Sequence, residues 1–108
     1  MELIDSIEMI CELIENNNML LVYFASDSCN VCVAIKPKIE ELLKKYEKIK
    51  SVMVDIEKSV EISAQYNIFT IPAILVFIYG KETIREVRFI SIENLSSKIS
   101  RYYDLLLL

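Results

Sequence analysis

The stretch from Met19 to Pro37 restricts what this chain can become more than any other part of it. An unbroken apolar run, Leu20 to Ala25, suits a buried strand. Ser26, Asp27 and Ser28 make a polar turn, and Cys29 and Cys32 follow at the start of a helical pattern. A helix N-terminus carries partial positive charge and unpaired N–H groups, and both favour a thiolate over a thiol. Cys29 is then the exposed sulfur at the mouth of the turn, and Cys32 sits one turn in, close enough to close a disulfide with it. Asp27 and Lys36 pull the ionisation of Cys29 in opposite directions. Taken alone, the pair also fits half a zinc site or two ordinary thiols. A zinc site needs three or four ligands, whereas the chain has no histidine and one other cysteine, Cys11.

Composition narrows the class. The 108 residues make a single domain, 1–108, and an apolar fraction of 54% supports a sizeable core. No apolar run approaches the ~18 residues that span a bilayer, and the N-terminus lacks the basic region and cleavage site of a signal peptide, so no membrane partner is expected. A net charge of −4 gives no basic footprint for nucleic acid. Three cysteines, an odd number, argue against a secreted disulfide framework and for a reducing, cytoplasmic setting with one reactive pair and one bystander. The lack of histidine removes Cys–His and Ser–His catalysis, and a single glycine excludes a Gly-rich phosphate loop.

Along the chain, Glu2 to Ile4 reads as a very short edge strand. Asp5 and Glu8, in capping-box spacing, open a first helix in which Ile7, Ile10, Cys11 and Ile14 share the inner face, making Cys11 a small core residue. Asn16 to Asn18 end it. A second helix is predicted from about Asn30 to Lys48, with Cys32, Ile35, Ile39, Leu42, Leu43 and Tyr46 as its apolar stripe and a kink at Pro37. Glu40 with Lys44, and Glu41 with Lys45, are i,i+4 pairs. Ser51 to Asp55 is a strand, and strand–helix–strand implies a parallel crossover. Ser59 caps a short third helix that ends at a left-handed Asn67. Ala73 to Tyr79 is a buried strand, Gly80-Lys81 a turn, and Glu82 to Phe89 a returning strand with Thr83, Arg85 and Arg88 facing water. Ser91 begins a last helix with Leu95, Ile99, Tyr102, Tyr103 and Leu106 inward. The apolar tail, Leu105 to Leu108, reads as a helix end tucked onto the sheet or, more sharply, as a homodimer or partner contact through a Leu-rich C-terminal helix.

The order Cys29-x-x-Cys32, Pro37 and Thr70-Ile71-Pro72 ahead of an apolar strand resembles the thioredoxin family over nearly the whole chain. The resemblance implies an α/β thioredoxin fold: a central mixed sheet of four to five strands flanked by about four helices. It implies that Pro37 is the structural, helix-kinking proline and that Pro72 is a cis-proline packed against the cysteines. It places Ile71, Pro72 and Ser28 among the substrate-binding residues, with Ile71 at the docking position and Ser28 where most members have Trp. Asn30-Val31 replaces the usual Gly-Pro. The family's buried aspartate would fall at Tyr23, its lysine partner at Ser51, and a docking-surface glycine near Arg88 or Phe89.

The function so implied is thiol–disulfide oxidoreduction. Cys29 attacks a substrate disulfide and Cys32 resolves the mixed disulfide. No cofactor beyond the reversible Cys29–Cys32 disulfide and no metal is expected. The implied partners are disulfide-containing proteins and an NADPH-linked thioredoxin reductase. The alternative is a redox-inert or redox-sensing binding module on the same fold, suggested by the replaced Trp, Asp and Gly positions.

Overall fold

A computed structural model describes residues 1–106. The order of elements is β1 (Glu2–Leu3), α1 (Ile7–Asn16), β2 (Met19–Ala25), α2 (Asn30–Leu43), β3 (Lys50–Asp55), α3 (Val60–Gln65), β4 (Ala73–Ile78), β5 (Lys81–Val87) and α4 (Ile92–Leu106). The five strands form one mixed sheet in the order β1-β3-β2-β4-β5. β2 runs parallel to β3 and antiparallel to β4, and β4 and β5 form an antiparallel hairpin.

β2 lies at the centre, and every one of its residues is buried. Because side chains alternate along a strand, β2 feeds two cores at once. Met19, Leu21, Tyr23 and Ala25 pack with Ile39 of α2 and with Leu95 and Ile99 of α4. Leu20, Val22 and Phe24 pack on the other face with Ile10 of α1 and Ile62 of α3. A continuous apolar run is what a strand with helices on both faces requires.

Local chemistry moves several boundaries. Ser6, not Asp5, caps α1; its Oγ accepts the N–H of Met9 at 3.1 Å. The buried stripe of α1 centres on Ile10, with Met9 and Leu13 on its far side. At about 100° per residue this turns Cys11 out, and Cys11 is exposed rather than core. α2 stops at Leu43, five residues before Lys48, and turns carry the chain into β3. The expected pairs also shift: Lys44 bridges Glu41 at 2.9 Å, and Glu40 lies 3.3 Å from the Met1 amino group.

Ser59 occupies the cap of α3 without a side-chain capping bond, and Asn67 is left-handed at φ 58°. The β4–β5 turn is Tyr79-Gly80 rather than Gly80-Lys81, since Ile78 pairs with Lys81. Both turn residues have positive φ, 48° and 81°, as a two-residue hairpin needs to match the twist of its strands. An irregularity between Val76 and Phe77 breaks the alternation of β5 and leaves Ile84 buried. Leu105 and Leu106 do not tuck in. Leu105 and Leu106 are 74% and 41% exposed, and the rest of the tail, Leu107 and Leu108, lies outside the described residues.

Candidate active site

The end of β2 delivers the chain into the turn of Ser26, Asp27 and Ser28, closed by the Cys29 N–H on the Ser26 carbonyl at 3.2 Å. Cys29 is the N-cap of α2 in extended conformation; its Sγ accepts the N–H of Cys32 at 3.2 Å, and its carbonyl accepts that of Val33 at 3.1 Å. The sulfur thus takes the place of the usual capping oxygen, where a backbone donor and the helix dipole both favour negative charge. Cys29 and Cys32 are disulfide-bonded with their Cα atoms 5.3 Å apart. Cys29 is half-buried and Cys32 is buried, flanked by the exposed Asn30 and Val31. One sulfur therefore meets solvent and the other is shielded.

Beneath the pair the facing strand positions are uncharged. Tyr23 is fully buried, and its hydroxyl donates to the Cys32 carbonyl at 2.7 Å. This bond lies in the turn where Pro37 has no N–H to offer the Val33 carbonyl. Burial pushes the Tyr23 phenol up to about 12. The residue opposite Tyr23 on β3 is Met53, and Ser51 faces Leu21. The position expected of a lysine beside Tyr23 is therefore Met53, not Ser51. Tyr23, Cys32, Pro37 and Met53 share a pocket of about 270 Å³ with Asp27 and Lys36.

On the β3 side, Ser28 donates to Glu57 Oε1 at 2.7 Å and lies 3.1 Å from Ser26 Oγ. Asp55 fixes the turn that presents Glu57, accepting the N–H groups of Glu57 and Lys58 at 2.9 and 3.3 Å. Nothing in the sequence marked Glu57, because only the sheet register brings the end of β3 beside Ser28. On the β4 side, the Ile71–Pro72 peptide bond is cis. Pro72 is buried and shares a cavity of about 310 Å³ with Val31 and Ile35 of α2. Ile71 is half-buried and packs against both cores; Cys29 packs against one of them. The Pro72 carbonyl accepts the Arg88 N–H at 2.8 Å, which ties this loop to the end of β5.

Among the described residues no group of three His, Cys, Asp or Glu side chains could hold a metal. Nor, among them, is any helix long and apolar enough to cross a membrane.

A five-stranded mixed sheet with four helices, carrying a Cys-x-x-Cys disulfide at the N-terminus of the helix after its central strand, defines a thiol–disulfide oxidoreductase of the thioredoxin fold. The family model described as Thioredoxin matches residues 8–101, and the chain belongs to the thioredoxin family. A thioredoxin-like protein of Bacillus subtilis, YdfQ, is 32% identical over 92 residues, covering 85% of this chain and 82% of that protein. The thioredoxin of Fasciola hepatica superposes with a TM-score of 0.85 at 27% identity, covering 94% of this chain and 98% of the other. Oxidised thioredoxin from Plasmodium falciparum superposes with a TM-score of 0.83 at 25% identity, covering 94% and 96%.

Proposed function

We propose that this oxidoreductase reduces protein disulfides through Cys29 as nucleophile and Cys32 as resolving thiol. The Cys29 thiolate attacks one sulfur of the substrate disulfide. That bond breaks, a Cys29–substrate disulfide forms, and the first substrate sulfur leaves as a thiolate that takes up a proton. Cys32, deprotonated in turn, attacks Cys29 Sγ. The mixed disulfide breaks, the second substrate thiol is released, and Cys29–Cys32 is left oxidised. Two electrons and two protons have then passed to the substrate. Ile71 and Pro72 flank the incoming chain, and Pro37 shapes the helix that carries Cys32. Ser28, held by Glu57, fixes the turn before Cys29.

The return to the dithiol needs an external two-electron donor, and an NADPH-linked thioredoxin reductase in the cytoplasm supplies it in this reading. The observation that carries the proposal is the pairing of a half-exposed Cys29, capped onto α2, with a buried Cys32. It accounts for one sulfur attacking and the other resolving. Insulin-disulfide reduction with dithiothreitol as electron source tests it. The wild type is expected to catalyse precipitation of the insulin chains, and Cys29→Ser to lose catalysis. Full activity in Cys29→Ser would overturn the assignment. Cys32→Ser is expected to accumulate the mixed disulfide, which mass spectrometry of the trapped adduct would identify.

A further inference from the structure

Arg88 stands in a conformation that its residue type disfavours. Its φ is 75°, and the Phe89 N–H closes onto the Val87 carbonyl at 3.0 Å across it, a three-residue turn of the strained, positive-φ kind. The other non-glycine residues with positive φ have local reasons: Asn67 ends a helix and Tyr79 turns a hairpin. At Arg88 the turn ties the end of β5 to the Pro72 carbonyl, a backbone bond that glycine would make without strain, so keeping a long charged side chain at this exposed position points toward function.

What the turn achieves is placement. It holds Arg88 against the Pro72 carbonyl and stands its guanidinium 5.5 Å from the centre of the Phe89 ring, which is 88% exposed. Val31, Pro72, Arg88 and Phe89 line one cavity of about 310 Å³. Arg85, three residues earlier, is engaged by Glu82 and by the Tyr66 and Asn67 carbonyls. Among the described residues Arg88 has no carboxylate partner. The strand order makes this charge directional. Glu57, at the end of β3, lies on one side of β2, whereas Pro72 and Arg88, at the start of β4 and the end of β5, lie on the other. The disulfide sits between an acidic flank and a basic one.

We propose that Arg88 is a specificity-determining residue, selecting disulfide substrates that carry a carboxylate beside the half-cystine attacked by Cys29, together with an apolar side chain for the Val31–Pro72–Phe89 cavity. This rests on the disulfide-reductase reading above. A substrate chain lying along the Pro72 loop would place its carboxylate at Arg88 and away from Glu57. A chain with a basic residue there would meet like charge on the Arg88 side.

The test uses reduced full-length protein and two synthetic peptides with an intramolecular disulfide. They are identical, each with a leucine next to the half-cystine, except for Glu or Lys on its other side. The readout is the ratio of kcat/KM for the two peptides within each variant, so that any change in the reactivity of Cys29 cancels. The wild type is expected to favour the Glu peptide about tenfold at low salt, mainly through KM, with the preference shrinking as salt is added. Arg88→Lys is expected to keep most of the preference, Arg88→Gly to abolish it, and Arg88→Glu to reverse it. An equal rate for both peptides in the wild type, or an undiminished preference in Arg88→Gly, would overturn the proposal. Bis(2-hydroxyethyl) disulfide, which is uncharged, separates the two failures. If the wild type reduces it but not the Glu peptide selectively, only the role of Arg88 falls. If the wild type reduces neither it nor the peptides, the reductase reading falls, and the proposal with it.

Discussion

Beneath the Cys29–Cys32 pair the facing strand positions are uncharged, with Tyr23 and Met53 where a proton-handling carboxylate and ammonium would stand, and Asp27 and Lys36 line the same pocket. Beside the pair it is open and charged, with Arg88 held on a strained turn against Pro72. The two regions are reached from the same central strand, yet they bear on different steps. The underside faces Cys32 and concerns how the resolving thiol loses its proton. The flank concerns which disulfide arrives. A chain can therefore keep its cysteines and cis-proline while its proton handling and its partner choice change separately.

The largest expected effect comes from forcing the underside to resemble a charged one. Tyr23→Asp would bury a carboxylate opposite Met53 and remove a large core side chain. An uncompensated buried charge costs about 3–5 kcal/mol, enough to lower Tm by more than ~12 °C in a domain of this size. Adding Met53→Lys should recover part of that loss, because the two positions face each other across β2 and β3. Thermal unfolding of the single and double variants would show it. A single variant as stable as the wild type would mean that this region is wetter than the burial of Tyr23 implies.

Alkaline titration comes next. The phenols of Tyr23 and Tyr66 are both pushed up to about 12. Burial is the main cause for each, and for Tyr66 the neighbouring Cys11 adds to it. Below pH ~10 both the folded and the unfolded chain keep these protons, and the stability is fully present. Between ~10 and ~12 the unfolded chain releases them while the folded chain does not. The unfolded state then binds fewer protons, so stability falls as pH rises. Urea midpoints measured across that window should drop, and less steeply in Tyr23→Phe. A midpoint independent of pH up to ~12 would show that the unfolded and folded phenols titrate alike.

The fold was legible because its main signals are local. The run from Leu20 to Ala25 had to be a strand covered on both faces, and Pro37 and Thr70-Ile71-Pro72 carried family information that composition lacks. What could not be read depends on rotation or on register. Cys11 is on the surface because Met9 and Leu13 shift the buried stripe of α1, and no count of apolar residues on one face resolves a stripe edge. Glu57 meets Ser28 only after β3 pairs with β2. Met53, rather than Ser51, faces Tyr23 for the same reason. The left-handed turn at Arg88 was marked only by the resemblance, which put a glycine near Arg88 or Phe89; the arginine that stands there carries no such mark itself.

Tyr23→Phe isolates the smaller part of the underside. It keeps the ring and removes only the hydroxyl that donates to the Cys32 carbonyl. The net loss should be about 0.5–1.5 kcal/mol, read as a lower urea midpoint at unchanged slope. An unchanged midpoint would mean that the carbonyl finds another donor.

Arg88→Gly probes the flank with the opposite sign. An L-residue in the left-handed region costs roughly 1–2 kcal/mol, and glycine removes that cost while giving the unfolded chain more freedom to lose. The net expectation is a gain of about half a kcal/mol or slightly more, visible as a small rise in the urea midpoint. The backbone bond from residue 88 to the Pro72 carbonyl does not depend on the side chain, so the loop should keep its tie to β5. A variant that is more stable yet less selective between acidic and basic substrates would separate the two regions cleanly. It would show that the arginine is held at this turn against the preference of the fold, for what it recognises. A variant that loses stability would instead place the guanidinium and its contact with Phe89 among the interactions that hold the domain together, and the contrast between a structural underside and a recognition flank would break.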